Sequence, residues 1–470
     1  MFTKKSTLLI AVALMAFAAC KKSGGEEVEG ANFNRSTSAA ADLRTWPSLT
    51  STIPSTINGG TFVLTNDRVW ILDGPTYVGS TGVLQIEPNT LIKGNSSSSR
   101  GTSYLVVTRG GRIEADGVSA STSIVFTSDK PAGQRVPGDW GGIIVLGNAP
   151  VNQSPLPQIE GIISTEIPAG YSINYGGSDT AHNGGILRYV RIEFAGRDLG
   201  NNNEINGLTL GGVGNTTVLE NIQVSYGQDD AFEFFGGTVN AKNLIALGNT
   251  DDDFDFDFGY VGKIQFAVAL RDPAVHSVLS SDPNGIESDN DGASSVLTPR
   301  TAPILSNFTI LGYSGNPSGL LNGVRFRRSS QFRMHNSIIA GWNNSGAFFD
   351  GPQVIADITS GVAQFRNNAV QSQLDDFNPN PGAWAGFSNN IPSLIGGSPV
   401  AFVRLVSPFT IANPDFRYVA GSPAASNFDY TTLPTPFFNT SLNYRGAFGA
   451  AGSARWDAVW ASYQPQTNPY

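Results

Sequence analysis

The chain has 470 residues, 38 of them acidic and 29 basic, for a formal charge of −9, with 14% charged and 40% hydrophobic. That balance excludes a phosphate-binding nucleic-acid surface, and the length is sufficient for a large core. The single cysteine, Cys20, leaves no internal disulfide, so stability must come from packing and backbone hydrogen bonds.

Residues 1–19 carry Lys4 and Lys5, an apolar run from Leu8 to Met15, and Ala18 and Ala19 directly before Cys20. A cationic start, a short apolar stretch and small residues at its end read as a secretory signal peptide. The stretch is shorter than the roughly 20 residues that span a bilayer. Phe17-Ala18-Ala19-Cys20 resembles a lipobox, which makes Cys20 the expected lipidation site of a surface-exposed outer-membrane lipoprotein, with the lipid as its membrane partner. An ordinary signal peptide followed by a chance cysteine is the alternative. Residues 20–41 are rich in Lys, Ser, Gly and Glu, have little to bury, and are expected to form a flexible tether.

From residue 42 onward the chain reads as all-β. Its 54 glycines and 27 prolines punctuate short runs rich in Val, Ile and Phe. Asp42 to Pro54 is expected to cover the first coil, and strands are predicted at Phe62 to Thr65, Val69 to Leu72, Val83 to Ile86, Tyr104 to Val107, Ile124 to Thr127 and Ile143 to Leu146. Leu219-Glu220-Asn221-Ile222-Gln223-Val224, followed by Asp229-Asp230-Ala231-Phe232-Glu233-Phe234, recurs as Ala241-Lys242-Asn243-Leu244-Ile245-Ala246 and Asp251-Asp252-Asp253-Phe254-Asp255-Phe256, an offset of 22 residues. A helix-free unit of that size buries its apolar side chains only by coiling and stacking on copies of itself. The expectation is therefore a right-handed parallel β-helix over residues 42–425, with an N-terminal cap. Asn221, Asn243, Asn307 and Asn336 would bond vertically at a corner and a following glycine would take the left-handed conformation. Asp415 to Ala424 reads as the last coil, and residues 426–470, with Phe448, Trp456 and Trp460, as an aromatic C-terminal cap.

Gly138-Asp139-Trp140-Gly141-Gly142, Leu187 to Gly196, Asn206 to Gly214, Asp229 to Asn240, Asp251 to Phe266 and Tyr444 to Phe448 together resemble a pectin-lyase-like family of β-helix lipoproteins from Bacteroidetes-type envelopes. The resemblance implies fold and location. It carries no assigned activity and no catalytic residue.

Strand alternation from Asp253 onward sends Phe254, Phe256 and Phe258 inward and Asp253, Asp255 and Asp257 outward, with Glu233 beside Asp255 in the preceding coil. Carboxylates one strand spacing apart repel, and three arrangements offset that repulsion. Calcium held by Glu233, Asp251, Asp253 and Asp255, supplemented by Asn249 or backbone carbonyls, is one; Arg325 and Arg327 from a later coil are another; solvation with partial protonation is the third. Asp229, Asp230, Asp257, Arg325 and Arg327 complete a candidate ligand face. The run Glu287 to Gly292 lacks the spacing of a calcium loop and reads better as a polar turn than as an extension of this face. His182, His276 and His335 show no zinc spacing and read as turn or surface residues. The leading expectation is a non-catalytic surface that binds a glycan, a partner protein or an envelope transporter. The alternative is a polysaccharide lyase, or a hydrolase using Asp229, Asp230, Asp251 and Asp252 as acids.

Overall fold

The structure is a computed structural model that describes residues 42, 44–199, 203–315, 318–393 and 397–470. Cys20, the signal segment and the tether lie outside the described residues. Among the described residues no helix is long and apolar enough to cross a membrane.

The chain winds as a right-handed parallel β-helix, its strands assembled into an 18-stranded and an 11-stranded sheet. The predicted strands stand where the short apolar runs put them, at Gly60–Leu64, Val69–Leu72, Gly82–Ile86, Tyr104–Val107, Ile124–Ser128 and Gly142–Leu146. The longest, Gly185–Glu193, Val218–Ser225, Asn240–Leu247, Lys263–Leu270 and Ile304–Leu311, run through a corner of the coil without leaving the sheet. The corner residue is itself left-handed, at φ 55° for Asn221 and 59° for Asn243, so Asn rather than a following glycine absorbs the bend. Asn tolerates this region because its side chain can compensate locally. Asn243 Nδ2 donates to Asn221 Oδ1 at 2.9 Å, 22 residues away, which is the predicted vertical ladder. Phe266 interrupts that ladder, and Asn307 and Asn336 turn instead to Tyr430 and Asp429.

The interior is a column of inward side chains. Phe232 lies on Phe254 with ring centroids 5.2 Å apart and planes 6° from parallel, and Phe234 lies on Phe256 at 5.3 Å. Removing any of these rings would cost about 3–5 kcal/mol through lost burial and the cavity left behind. Phe258 departs from the expectation. The strand ends at Asp257, Phe258 turns left-handed (φ 47°), and its ring packs outside the coil against Phe235.

Three expectations about the ends are corrected. The coils stop at Phe387–Ser388 and Ile391–Pro392, the latter paired in parallel with Ala369–Ser372. Asp415–Tyr418 is not a coil: it pairs antiparallel with Leu405–Ser407, and Phe416 faces Phe448 and Tyr463. Residues 426–470 run back along the side of the stack instead of closing its end. Asn439 N donates to Gln265 Oε1, Ser462 N to Gln223 Oε1, and Gly133 N to Gln466 O. Their aromatic residues bury the outward side chains Ile245, Val268, Leu311 and Ile338 beneath Phe448, Trp460 and Tyr463. At the other end Thr50–Thr52 is already a coil strand, paired with Val69–Leu72, and Asp42 and Arg44 lie along the flank, bonded to Asn468 and Ser123.

Candidate functional site

One outward position of the 11-stranded sheet lines up from coil to coil in strict register. The column reads Tyr77, Val106, Ile144, Thr209, Glu233, Asp255, Glu287, Arg325 and Phe348. Its first three members are covered by the insertion after residue 147, through Ile159, Ile162, Ile173 and Tyr175. The next members stay open, and there the carboxylates gather. Ile286–Ser288 is a strand, so Glu287 extends the acidic column instead of sitting in a polar turn.

The turn before each strand adds two more acids per coil. Asp252 N donates to Asp230 Oδ1 at 2.9 Å, which locks the two turns together, and Ser280 Oγ donates to Asp251 Oδ1 at 2.6 Å. Three overlapping groups result: Asp229 with Asp230 and Asp251, Asp230 with Glu233 and Asp255, and Asp252 with Asp255 and Glu287, the oxygens of each within 4.8 Å of one another. They line a cleft of about 240 Å³ whose margin carries Glu160, Glu204, Asn206 and Asp282. Among the described residues, no Lys or Arg pairs with Asp229, Asp230, Glu233, Asp251, Asp252 or Asp255. Arg327 meets the cluster only at its far edge, pairing with Glu287 and, at 2.9 Å, with Asp289. Arg325 pairs with Asp282 at 2.6 Å and Asp350 at 2.8 Å and reaches the same edge at Glu287 only at 3.8 Å.

Burial, with repulsion between neighbours second, holds Asp229, Asp230, Glu233, Asp252 and Asp255 well above the ordinary carboxylate range. Burial pushes Glu287 up to about 8 despite Arg327, and Asp251 up to about 6. A protonated network or a bound cation relieves this strain equally well. The donors are all oxygen, and Asp255 Oδ1 is buried without a hydrogen-bond partner, so the residues present suit a calcium ion, which takes about 6–8 oxygen ligands.

Of the four residues expected to share one ion, Glu233 and Asp255 stand together with Asp230, while Asp251 stands in a separate group with Asp229 and Asp230. Asp253 is withdrawn. The strand begins only at Phe254, so Asp253 precedes the alternation, and its carboxylate pairs with Arg271 at 2.9 Å, both side chains fully buried. Asp257 faces outward, but its Oδ1 accepts from Phe258 N at 2.6 Å and stands outside the three groups. Asn249 is also occupied, accepting from Gly227 N at 2.8 Å. Glu160, in an irregular segment, and Glu204, in the short antiparallel strand Glu204–Ile205, lie outside the coil repeat, so no periodicity places them. Two histidines are corrected as well: His182 and His335 are buried, and burial lowers His335 to about 4.

The family model for the pectate-lyase like beta helix domain matches residues 55–382. The chain belongs to this family. The match ends within the last coils, and the flank segment lies beyond it. Among curated proteins and solved structures, nothing matches the chain. The family establishes the solenoid and leaves the chemistry of the cleft to its own side chains.

Proposed function

We propose that this pectate-lyase-like β-helix is a lipid-anchored bacterial envelope protein, held at the outer membrane through Cys20, whose acidic cleft binds calcium and through it an anionic glycan at the cell surface. One observation carries the reading. Seven carboxylates stand in three mutually close groups on rigid coils, and arginine reaches only one edge of them. Asp230, Glu233 and Asp255 would hold the ion, with Asp229, Asp251, Asp252 and Glu287 around it; the ion supplies positive charge for an anionic ligand. The lipid anchor rests on the signal and the single cysteine, and mass spectrometry of the mature N-terminus decides it. An unmodified N-terminus elsewhere than Cys20 would remove it.

Calcium titration of the full mature chain, followed by thermal melting, tests the cleft. A saturable rise in melting temperature that chelator reverses and Asp255→Asn abolishes is expected, and an unchanged melt would end the metal reading. The enzymatic alternative draws on Arg327 at the edge of the cleft. Against it, Arg327 is held in its charged form by Glu287 and Asp289, and among the described residues no aromatic side chain lines the cleft to stack a sugar. Release of unsaturated or reducing ends from polyuronate would favour that alternative.

A further inference from the structure

A second cavity lies on the same sheet side, over the first coils. It has a volume of about 380 Å³, and none of its walls is acidic in a chain of net charge −9. The turns after Thr56–Ile57, Thr76–Val78, Tyr104–Val107 and Gly142–Leu146, on four successive coils, bring Asn58, Ser80, Arg109 and Asn148 into the lining of one cavity. The opposite wall is Tyr171, from the insertion after residue 147; its ring is fixed edge-on against Tyr77 at 5.8 Å.

Two features distinguish this hollow from ordinary polar surface. The floor is Gly79, where a Cβ would stand 2.8 Å from Asn58 Oδ1 and 3.1 Å from Tyr171 Cε1, so a side chain there would fill the gap between the two walls that glycine leaves open. Arg109 is the only charge, and it is oriented without being neutralised. Its Nη1 donates to Gly176 O at 3.0 Å, and it takes part in no ion pair with any described residue. A guanidinium fixed by a neutral carbonyl keeps donors and charge for an anion, while amides, a hydroxyl and a phenol match a hydroxylated body with one flat face.

We propose that this cavity binds a compact hydroxylated anion of the sugar-phosphate class, with the anionic group on Arg109 and the ring between Tyr171 and the amides of Asn58 and Asn148. The site is independent of the acidic cleft and needs no metal. Calorimetric titration of the full mature chain with glucose 6-phosphate, glucose and inorganic phosphate, each to ~10 mM, tests it. The expected result is binding of glucose 6-phosphate that survives chelator and Asp255→Asn and weakens at least about tenfold in Arg109→Gln. Gly79→Ala should fold, since the atom it meets first ends a flexible side chain, and should weaken binding by filling the floor. No heat from glucose 6-phosphate overturns the proposal. Glucose binding as tightly overturns the role of Arg109, and inorganic phosphate binding as tightly reduces the site to an adventitious anion only.

Discussion

The two halves of one outward column differ in polarity and in cover. Tyr77, Val106 and Ile144 occupy the same register, on the same pleat, as Glu233, Asp255 and Glu287, above the same kind of apolar interior. The first group is apolar and the chain covers it with its own insertion; the second is acidic and the chain leaves it open. The inward residues of a coil are fixed by the stack, whereas the outward ones are free, so the same scaffold serves structure at one end and ligand at the other. Chemistry moves along this molecule by substitution on one face, with the backbone unchanged.

The strongest way to break the contrast is to make the covered half resemble the open one. Ile144→Asp puts an unpaired carboxylate beneath the insertion and should destabilise by about 3–5 kcal/mol in denaturant unfolding, with no gain in calcium response. Within the acidic half, Asp253→Asn and Asp255→Asn should separate. The first leaves buried Arg271 without its counter-charge and should lower stability by about 3 kcal/mol while the calcium response persists. The second should leave the metal-free protein as stable or more so and remove the stabilisation of about 2.7 kcal/mol expected at a hundredfold excess of calcium over Kd.

Protonation sharpens the comparison further. Asp251, Glu287 and Asp257 have folded values of about 6, 8 and 8, all above the roughly 4 of an unfolded carboxylate, so the folded state binds more protons between those limits. Their contribution to stability is fully present below about pH 4 and is lost as pH rises through 6 to 8. Chelated protein should therefore melt progressively lower across that window, and calcium should flatten the slope. His335, depressed to about 4, acts in the opposite direction, losing stability as pH falls from about 6.5 to 4. The smallest effect belongs to the ladder both halves stand on. Asn243→Ala loses one hydrogen bond and a left-handed-tolerant residue and should cost about 1 kcal/mol with or without calcium.

The interior was legible because strands alternate with period two and adjacent coils repeat at a fixed offset; Phe232 over Phe254 and Glu233 beside Asp255 follow from those two facts alone. Legibility failed where the offset or the alternation broke. Asp253 stands one residue before its strand, and Glu287 is separated from Asp255 by a long excursion through residues 271–285 that hides their pairing. The flank segment was unreadable for a different reason. Its partners, such as Gln223 for Ser462 and Asp42 for Asn468, lie 239 and 426 residues away, where no periodicity reports contact.

That segment alters how the molecule comes apart. A bare solenoid is a row of units that touch only their neighbours, and such a row can fray from either end one unit at a time. Here Asn468 accepts from Asp42 N, while the Tyr470 hydroxyl accepts from Arg191 and donates to Glu193 at 2.8 Å. The late part of the chain is thus a fastener laid across many units and buckled to the early part. Loss of a terminal coil must first undo the buckle, so unfolding should be a single concerted event, and a chain cut short of Asn468 should regain the piecemeal fraying of a bare stack.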